Sequence, residues 1–580
     1  MRLQEVRVEH FRALRDAWVP LRPTTVLIGE NNSGKTTLLH ALAALFGARR
    51  PAPEDIYLAP EEAELPRDRV LRVDGLVVPE AGSEFDQEVA DLLGEAVQVG
   101  EGASAPDFVA LRAELAWDES HDDYRFSRRF LRGWAPTAAE AARVVAPLTR
   151  PGLAGEVAEL FSFQLLDARR DVTEQLRMRG SFWARLVRDP RLPAAVVQEI
   201  ERAIDGLNAR IVTESEVFAH VSETLATLDI SQTVPEGGVR IVPIPSRLSD
   251  LAAGMDITYA APGAHAFPLE QHGMGTRSWS ALLVFEAYVR WLREHGPRTG
   301  RRALHMIGVE EPEAHLHPQA QRSVFQRLAA SPGQQFVSTH SPSVAAGADI
   351  DDMVLFRARH GQVIIRPMAA DKGFSRDLRL EVQRYIQLGH PETLFARLLL
   401  LVSGDTEEIA LPMFAKAHSG RTLDDQGVAL VNVRSDGAFA PFIRAAVAAG
   451  ILWHILSDAE PSARGQVDGQ LKRCGLDPAA YAGSVTWLPD ETNWESYMVG
   501  EYPEEVEAYI DAEREVGFVA RQSAGRSRAA VMANFLKNAK PGYAVPLTER
   551  ILGLEDPRNR VPERVAALFT NITASLAGER

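Results

Sequence analysis

Residues 29–36 read GENNSGKT, which fits the phosphate-binding pattern G-x-x-x-x-G-K-[ST]. An apolar run precedes this stretch at 24–28 and an apolar-periodic segment follows from Lys35 to Phe46, so the order predicts strand, glycine loop and helix. Backbone N–H groups of such a loop and the positive end of the helix bind phosphate, with the lysine on the β- and γ-phosphates. The predicted nucleotide-binding residues are Gly29, Asn31, Asn32, Ser33, Gly34, Lys35, Thr36 and Thr37, and the Thr36 hydroxyl is also a predicted Mg²⁺ ligand.

A second stretch, LHMIGVEEPEAHLHP at residues 304–318, predicts an apolar strand that ends in the adjacent acids Glu310 and Glu311. Paired glutamates are common in solvated loops, but here they end a buried strand downstream of a P-loop, and Pro312 stops that strand. In phosphoryl transfer such acids divide two roles. We expect Glu310 to hold Mg²⁺ and Glu311 to orient and activate the attacking water, which predicts an ATPase that uses ATP and Mg²⁺.

Two further motifs resemble parts of ABC-type ATPases. His340 closes the apolar run QFVSTHSPS and resembles the switch histidine that contacts the γ-phosphate. Gly273 and Gly275, in QHGMGTRSW, precede a predicted helix and resemble the signature turn, which meets the nucleotide of a second protomer. The resemblance therefore implies a homodimer or higher homo-oligomer in which these glycines contact nucleotide.

The order of these motifs resembles the overcoming lysogenization defect (OLD) family of ATP-dependent nucleases over most of residues 1–350. The motifs that carry the resemblance are FRAL, GENNSGKTT, DARRD, the glycine turn, EEPEAHLHP and STHSP. It implies an α/β protein with an ABC-type P-loop ATPase domain at 1–380, including a helical dimerisation insert at about 172–235. A C-terminal Toprim α/β domain with further helices is expected at 381–580.

The C-terminal region departs from the family at two positions: Ser403 replaces the first acid, and Glu460 replaces the second aspartate of an Asp-x-Asp motif, which lengthens the side chain by one CH₂. The first Toprim motif, V-E-G-x-x-E, is matched by VSGDTEE at residues 402–408, which keeps Gly404 and Glu407 but has Ser403 in place of the first acid. Serine is neutral and a poor ligand for Mg²⁺, which prefers carboxylates. Asp405, two residues along, is a candidate to compensate if its side chain points the same way.

The remaining Toprim positions carry usable groups. The second motif corresponds to Asp458 and Glu460, a further acid to Glu495 in TNWES, and a family lysine near the cleaved phosphate to Lys540 in NAKPGYA. The resemblance implies that Glu407, Asp458, Glu460 and Glu495 hold Mg²⁺ or Mn²⁺ for catalysis. DNA is the implied substrate, in anti-phage defence or DNA processing.

Two other interpretations stay open. In the first, the ATPase is a sensor or scaffold, the Toprim fold does not cleave, and a partner defence protein supplies the effector; Ser403 favours this. In the second, the chain is a RecF-like repair ATPase, which leaves residues 393–545 without a purpose.

Composition limits the remaining possibilities. The chain has 580 residues and a formal net charge of −16, so DNA contact needs local basic groups and not a generally basic surface. The single cysteine, Cys474, excludes a disulfide framework. Apolar stretches are too short to span a bilayer, so we expect a cytoplasmic protein without membrane contact. The basic residues that could form a DNA groove are Arg521, Arg526, Arg528, Lys537 and Lys540.

Overall fold

The computed structural model describes most of the chain, with gaps in the middle. Described are residues 1–100, 105–135, 153–167, 192–218, 302–314, 316–368, 374–384, 389–434, 438–489, 491–556 and 560–578, with short pieces between 244 and 294. Among these residues, no helix is long and apolar enough to cross a membrane.

The described strands are numbered in chain order. They are β1 Arg2–Phe11, β2 Leu14–Pro20, β3 Thr24–Gly29, β4 Leu71–Val78, β5 Val97–Gln98, β6 Phe108–Asp118, β7 Asp123–Leu131, β8 Phe161–Leu166, β9 Thr258–Tyr259, β10 Phe267–Pro268, β11 Leu304–Glu310, β12 Gln334–Thr339, β13 Met353–Arg359, β14 Gln362–Pro367, β15 Leu398–Val402, β16 Val428–Asn432, β17 Leu452–Ser457 and β18 Val485–Trp487.

The helices are referred to by their bounds. They are Lys35–Leu45, Gln87–Leu93, Gly155–Glu159, Ala194–Glu214, Pro318–Ala330, Pro342–Ala345, Arg376–Val382, Asp405–Ser419, Ala440–Ala449, Pro461–Arg473, Trp494–Glu501, Pro503–Glu513, Phe518–Gln522, Arg528–Asn538, Ala544–Leu552 and Glu563–Ala577.

An antiparallel meander begins the fold. Its strands lie in the order β2-β1-β4-β6-β5, with β7 paired to β6. The apolar residues Leu3, Val6 and Val8 predict a half-buried strand, and all three lie in the core; a register shift between Leu3 and Glu5 accounts for their uneven spacing. The apolar segments at 69–79 and 108–131, whose pattern predicts strands, contain β4, β6 and β7.

The second sheet carries the P-loop at its centre. Its order is β14-β13-β3-β12-β11-β8, and all neighbours are parallel except β13 and β14. The registers bring Gly29 beside Phe356, Ile28 beside Thr339, and Ser338 beside Glu310. The P-loop, the acid pair and His340 therefore leave the sheet at one edge, where ligands of open α/β sheets bind.

A third, parallel sheet lies in the C-terminal part, with the order β16-β15-β17-β18. Helices Asp405–Ser419 and Ala440–Ala449 connect its first strands, and the apolar run LLLLV at 398–402, which predicts a strand, forms β15. The described residues thus form a mixed α/β protein in which a sheet with a P-loop is followed by a second parallel sheet, in agreement with the predicted α/β class.

The two α/β sheets share a buried core. Val26 and Ile28 of β3 belong to the same apolar cluster as Leu399 and Leu401 of β15. The alternate residues of β15, Leu398 and Leu400, pack instead with the C-terminal helices. Strand β15 therefore has one face in the cluster that also contains β3 and one face toward the C-terminal helices, and the core continues across the division predicted at residue 380.

Some predicted features lie outside the described residues. Of the expected dimerisation insert, the structure describes the helix Ala194–Glu214. Gly275 and most of the DARRD motif are outside the described part, and Gly273 is exposed.

Candidate nucleotide-binding and metal-binding sites

The P-loop has the backbone needed for phosphate binding. Gly34, at the start of helix Lys35–Leu45, has φ 96°, which only glycine adopts without strain. A Cβ at Gly29 would collide with the carbonyl oxygen of Phe356, so the strand end also requires glycine. Ser33 Oγ is buried and has no hydrogen-bond partner, which leaves a donor in the loop for an anion.

Lys35 is hydrogen-bonded to the backbone of the loop. Its ammonium donates to the carbonyl oxygens of Gly29 and Glu30, both at 2.8 Å. Burial lowers the pKa of Lys35 to about 8, while the charges of Glu311 and Glu313 oppose that shift. A phosphate bound here would favour the charged lysine, which is the arrangement predicted from the sequence.

The acid pair differs in exposure. Glu310 is buried at the end of β11, whereas 44% of the Glu311 side chain is exposed, as a residue that contacts water requires. Glu311 has φ 43°, an uncommon conformation for a glutamate, and its N–H donates to the carbonyl oxygen of Ser338 at 2.9 Å. Strain at this position is consistent with a functional acid.

His340 lies beside the more exposed acid. Its Nε2 is 3.7 Å from Glu311 Oε1. Burial, with a smaller contribution from the charge of Lys35, lowers the pKa of His340. The structure therefore brings Lys35, Glu311 and His340 together at the edge where the γ-phosphate is expected.

Glu313 is a site residue that the sequence analysis missed. Its Oε1 accepts from Thr339 Oγ1 at 2.8 Å and from the N–H groups of His340 and Ser341 at 2.7 and 3.0 Å. Burial raises the pKa of Glu313, whose second oxygen is buried without a partner. The third acid of EEPE was the available signal, because it joins the acid loop to the turn that holds His340.

Glu407 lies in a buried pocket near the start of helix Asp405–Ser419. Burial raises its pKa to about 8, and the charges of Asp458 and Glu495 add to that rise against Lys540. Its Oε2 is buried without a hydrogen-bond partner. A Cβ at Gly404 would collide with this carboxyl group, so the glycine of the motif makes room for the acid.

Lys540 and Tyr543 hold Glu495. The Lys540 ammonium is 2.6 Å from Glu495 Oε1, and the buried Tyr543 hydroxyl donates to the same oxygen at 3.0 Å. Burial acts to lower the pKa of Lys540, but the hydrogen bond to Glu495 and the nearby acids outweigh it and raise the pKa. Tyr543 was not predicted; its place in NAKPGYA, three residues after the lysine, was the only sequence signal.

Asp458 and Glu460 lie at the end of β17. Asp458 Oδ1 accepts from the N–H of Trp494 at 3.1 Å, and Glu460 Oε1 accepts from Asn493 Nδ2 at 3.2 Å. Both acids are therefore oriented by the start of helix Trp494–Glu501, which also carries the buried Glu495.

Asp405 does not compensate for Ser403. Its Oδ1 accepts from Asn432 Nδ2 at 2.7 Å, and the same amide donates to Glu408 at 3.0 Å. Asn432 ends the neighbouring strand β16, so Asp405 is tied to that side of the sheet and not to Glu407.

The fit of a metal differs between the two sites. Thr36 and Glu310 offer the hard oxygen donors that Mg²⁺ prefers. In the C-terminal pocket, the unpartnered Glu407 oxygen and its raised pKa are consistent with a place for a cation. However, in the part of the chain that the structure describes, no three His, Cys, Asp or Glu residues approach closely enough to hold a metal ion. Water and substrate phosphate would have to complete that coordination.

Part of the predicted basic groove is already paired. Arg521 lies 2.5 Å from Glu515, and Arg528 forms an ion pair with Glu507. These two charges are therefore partly compensated, and they offer less to a DNA backbone than the sequence suggests.

Comparison with known domain families gives two matches. Residues 1–82 and 195–345 match an AAA ATPase domain. Residues 394–459 match the TOPRIM domain of overcoming lysogenization defect protein-like sequences.

The similar proteins include two curated nucleases. The OLD nuclease of Thermus scotoductus is 24% identical over 440 residues, which cover 70% of this chain and 72% of that protein. The Old nuclease of Escherichia phage P2 is 21% identical over 484 residues, covering 79% and 77%. The solved C-terminal region of the Xanthomonas campestris OLD protein covers 32% of this chain and 97% of that one at 19% identity, with a TM-score of 0.27 that is too low to support an argument.

Proposed function

We propose that this chain, which is an ATPase with a Toprim domain and belongs to the OLD family, uses its nucleotide state to gate metal-dependent DNA cleavage. The observation that carries the proposal is the common cluster formed by Val26 and Ile28 of the P-loop strand and Leu399 and Leu401 of β15. Because packed interiors transmit displacements, movement of the P-loop strand on nucleotide binding can pass through this cluster to the strand that precedes Ser403 and Glu407.

For ATP hydrolysis we assign the roles from the geometry of the sheet edge. Lys35 leaves the Gly29 and Glu30 carbonyls to bind the β- and γ-phosphates. Glu311 accepts a proton from the attacking water, and His340, 3.7 Å away, contacts the γ-phosphate. Thr36 and Glu310 would hold Mg²⁺, which neutralises phosphate charge when bound.

For DNA cleavage we assign the C-terminal pocket. Glu407, Asp458, Glu460 and Glu495 would hold Mg²⁺ or Mn²⁺, which supplies activation of water and neutralisation of phosphate charge. Lys540 is placed to move from Glu495 to the cleaved phosphate, because both are anions that a lysine ammonium pairs with. The nuclease names of the similar proteins support a nucleic-acid substrate, which we propose to be DNA, with anti-phage defence or DNA processing as the proposed setting.

Assembly is part of the same proposal. If the glycines at 273 and 275 act as a signature turn, each ATP site needs a second protomer, which requires at least a dimer through the N-terminal half. The division of the chain into an ATPase domain at 1–380 and a Toprim domain at 381–580 is likewise proposed.

A plasmid-cleavage assay tests the function. Wild-type protein with Mg²⁺ or Mn²⁺ is expected to cut supercoiled DNA, with a rate that depends on ATP. Lys35→Ala is expected to remove the ATP dependence, and Lys416→Ala, an exposed lysine on a C-terminal helix, to behave as wild type. If the cleavage rate of all three proteins is the same with and without ATP, the proposed control of cleavage by nucleotide is contradicted.

The scaffold alternative is favoured by Ser403 and by the lack of three converging metal ligands among the described residues. In that case the wild type cuts nothing in either metal, Asp458→Ala keeps its biological activity, and a partner defence protein supplies the effector.

A further inference from the structure

We propose that His40 is a positioning residue that fixes the carboxyl group of Glu310 and is itself fixed by Arg12 and Arg49. The inference rests on the role proposed above for Glu310 in holding Mg²⁺. The proposal adds to the ATP site a network of side chains, from Asp55 through two arginines and His40 to Glu310, that lies outside the sequence motifs except for Glu310.

The tautomer of His40 follows from its two partners. His40 lies on the helix that starts at Lys35, and its Nδ1 accepts from Arg12 Nη1 at 2.8 Å and from Arg49 Nη1 at 2.6 Å. A guanidinium group donates hydrogen bonds and accepts none. Nδ1 therefore carries no hydrogen, and the single ring hydrogen of the neutral imidazole is on Nε2.

The ring nitrogen that carries the hydrogen, Nε2, faces the carboxyl group of Glu310. His40 Nε2 is 3.7 Å from Glu310 Oε1. This distance is longer than a hydrogen bond but too short for an intervening water. A small rotation of the Glu310 side chain would complete an N–H···O contact, so His40 restricts the orientations open to the carboxyl group.

A buried aspartate anchors both arginines. Asp55 accepts from Arg12 Nε at 2.7 Å and from Arg49 Nη2 at 3.0 and 3.1 Å. Its carboxyl group also accepts from the N–H of Ala52, and its backbone carbonyl accepts from the N–H of Arg12. Asp55 is almost fully buried, and its carboxyl group therefore fixes both guanidinium groups beside the His40 ring.

Segments far apart in sequence meet in this network. Arg12 lies in the turn between β1 and β2, Arg49 follows the P-loop helix, and Glu310 ends β11. Arg12 has φ 49°, an uncommon conformation that costs free energy in a non-glycine residue. The contacts of its side chain and backbone with Asp55 stabilise this conformation. The convergence of three segments on one imidazole favours a positioning role over chance contact.

The test compares His40→Phe, which keeps the ring but removes both nitrogens, with His40→Gln, which keeps a donor and an acceptor. For His40→Phe we expect the Mg²⁺ concentration for half-maximal ATPase activity to rise about 10-fold, the usual effect of losing an outer-shell partner. ATP affinity in EDTA should stay within about twofold of wild type, because the Lys35 loop is not touched. His40→Gln should recover most of the Mg²⁺ response, and His121→Phe, at an exposed histidine, should have none of these effects.

A second measurement does not depend on the variants' activity. Nitrogen-15 NMR of histidine-labelled wild-type protein should give a neutral Nε2–H tautomer for His40, assigned by loss of its signals in His40→Phe. An Nδ1–H tautomer, or an unchanged Mg²⁺ response in folded His40→Phe, would overturn the proposal. Failure of the Glu310 role is distinguished separately, because Glu310→Gln would then itself leave the Mg²⁺ requirement unchanged.

Discussion

Asn432 Nδ2 donates a 2.7 Å hydrogen bond to Asp405 Oδ1. This bond determines whether Asp405 can replace the carboxylate that is missing at Ser403. Asp405 is the acid nearest in sequence to the missing one, but it is held at the end of β16, away from Glu407. The pocket is therefore one carboxylate short of the family pattern, and the side chains that remain have to do its chemistry.

Restoring the acid should strengthen cleavage. Ser403→Glu is expected to raise the rate of plasmid cutting with Mg²⁺, and wild type should work better with Mn²⁺, which stands above Mg²⁺ in general affinity for such ligands. Asp458→Ala should remove what activity remains. Ser419→Glu, at the end of helix Asp405–Ser419, controls for added charge. Cleavage that survives Asp458→Ala would mean that the site has been placed wrongly.

Glu407 should make stability depend on pH. Its carboxyl group keeps a proton in the fold up to a pKa of about 8, whereas the unfolded chain releases it near the ordinary glutamate pKa of 4.5. The folded state binds more protons between these values, so stability falls as pH rises from about 5 to 8. In EDTA, Glu407→Gln should therefore be more stable than wild type at pH 8, on the order of 2 kcal/mol, and differ less at pH 5.

Denaturant unfolding at several pH values measures this difference. Glu549→Gln, at an exposed glutamate, should keep the wild-type pH slope. A wild-type slope in Glu407→Gln would show that the carboxyl group is ionised in the fold.

Nucleotide binding and turnover should separate in the ATPase site. Lys35→Ala is expected to abolish ATP binding, because it removes the cation of the P-loop, and Glu311→Gln to bind ATP without hydrolysing it. Equilibrium titration and steady-state phosphate release measure the two steps. Full hydrolysis by Glu311→Gln would remove that residue from the mechanism.

Glu313 should act through the turn that holds His340. Glu313→Ala leaves the N–H groups of His340 and Ser341 without their acceptor, so we expect a loss of about 1–3 kcal/mol of stability. Misplacement of His340 should also lower kcat about 10- to 100-fold. Glu313→Gln keeps an acceptor oxygen and should recover most of both. Equal losses in the two variants, by thermal unfolding and phosphate release, would argue that charge and not acceptor geometry matters.

Assembly should respond to nucleotide. Light scattering of Glu311→Gln with ATP is expected to give at least twice the mass of one chain, because bound nucleotide is retained between protomers. Lys35→Ala serves as the control that cannot bind ATP. A mass of one chain at all concentrations, with and without ATP, contradicts the proposed dimer.

The sequence predicted features whose signals are contiguous. The P-loop, the strand before the acid pair and the strand before His340 each occupy a short stretch, and the structure has them at one sheet edge. The alternation that predicts β1 and the run that predicts β15 also reflect local burial.

Contacts between distant segments could not be predicted in this way. Tyr543 reaches Glu495, and Asn432 reaches Asp405, only because separate helices and strands pack together. The resemblance placed a lysine near the cleaved phosphate, but the ion pair of Lys540 with Glu495 depends on side-chain geometry. The shared core of β3 and β15 follows from sheet packing, which the spacing of motifs does not specify.

The central place of β3 has a consequence for synthesis of the chain. Its partners β12 and β13 are made much later: Thr24 lies beside Gln335 of β12, and their side chains form a hydrogen bond across 311 residues of sequence. On the ribosome the meander can pair early, whereas β3 waits with both edges open until about residue 356 has emerged. An open apolar strand invites pairing with other chains. A fragment that ends before residue 334 will therefore carry the whole GENNSGKT sequence, aggregate readily and hydrolyse no ATP.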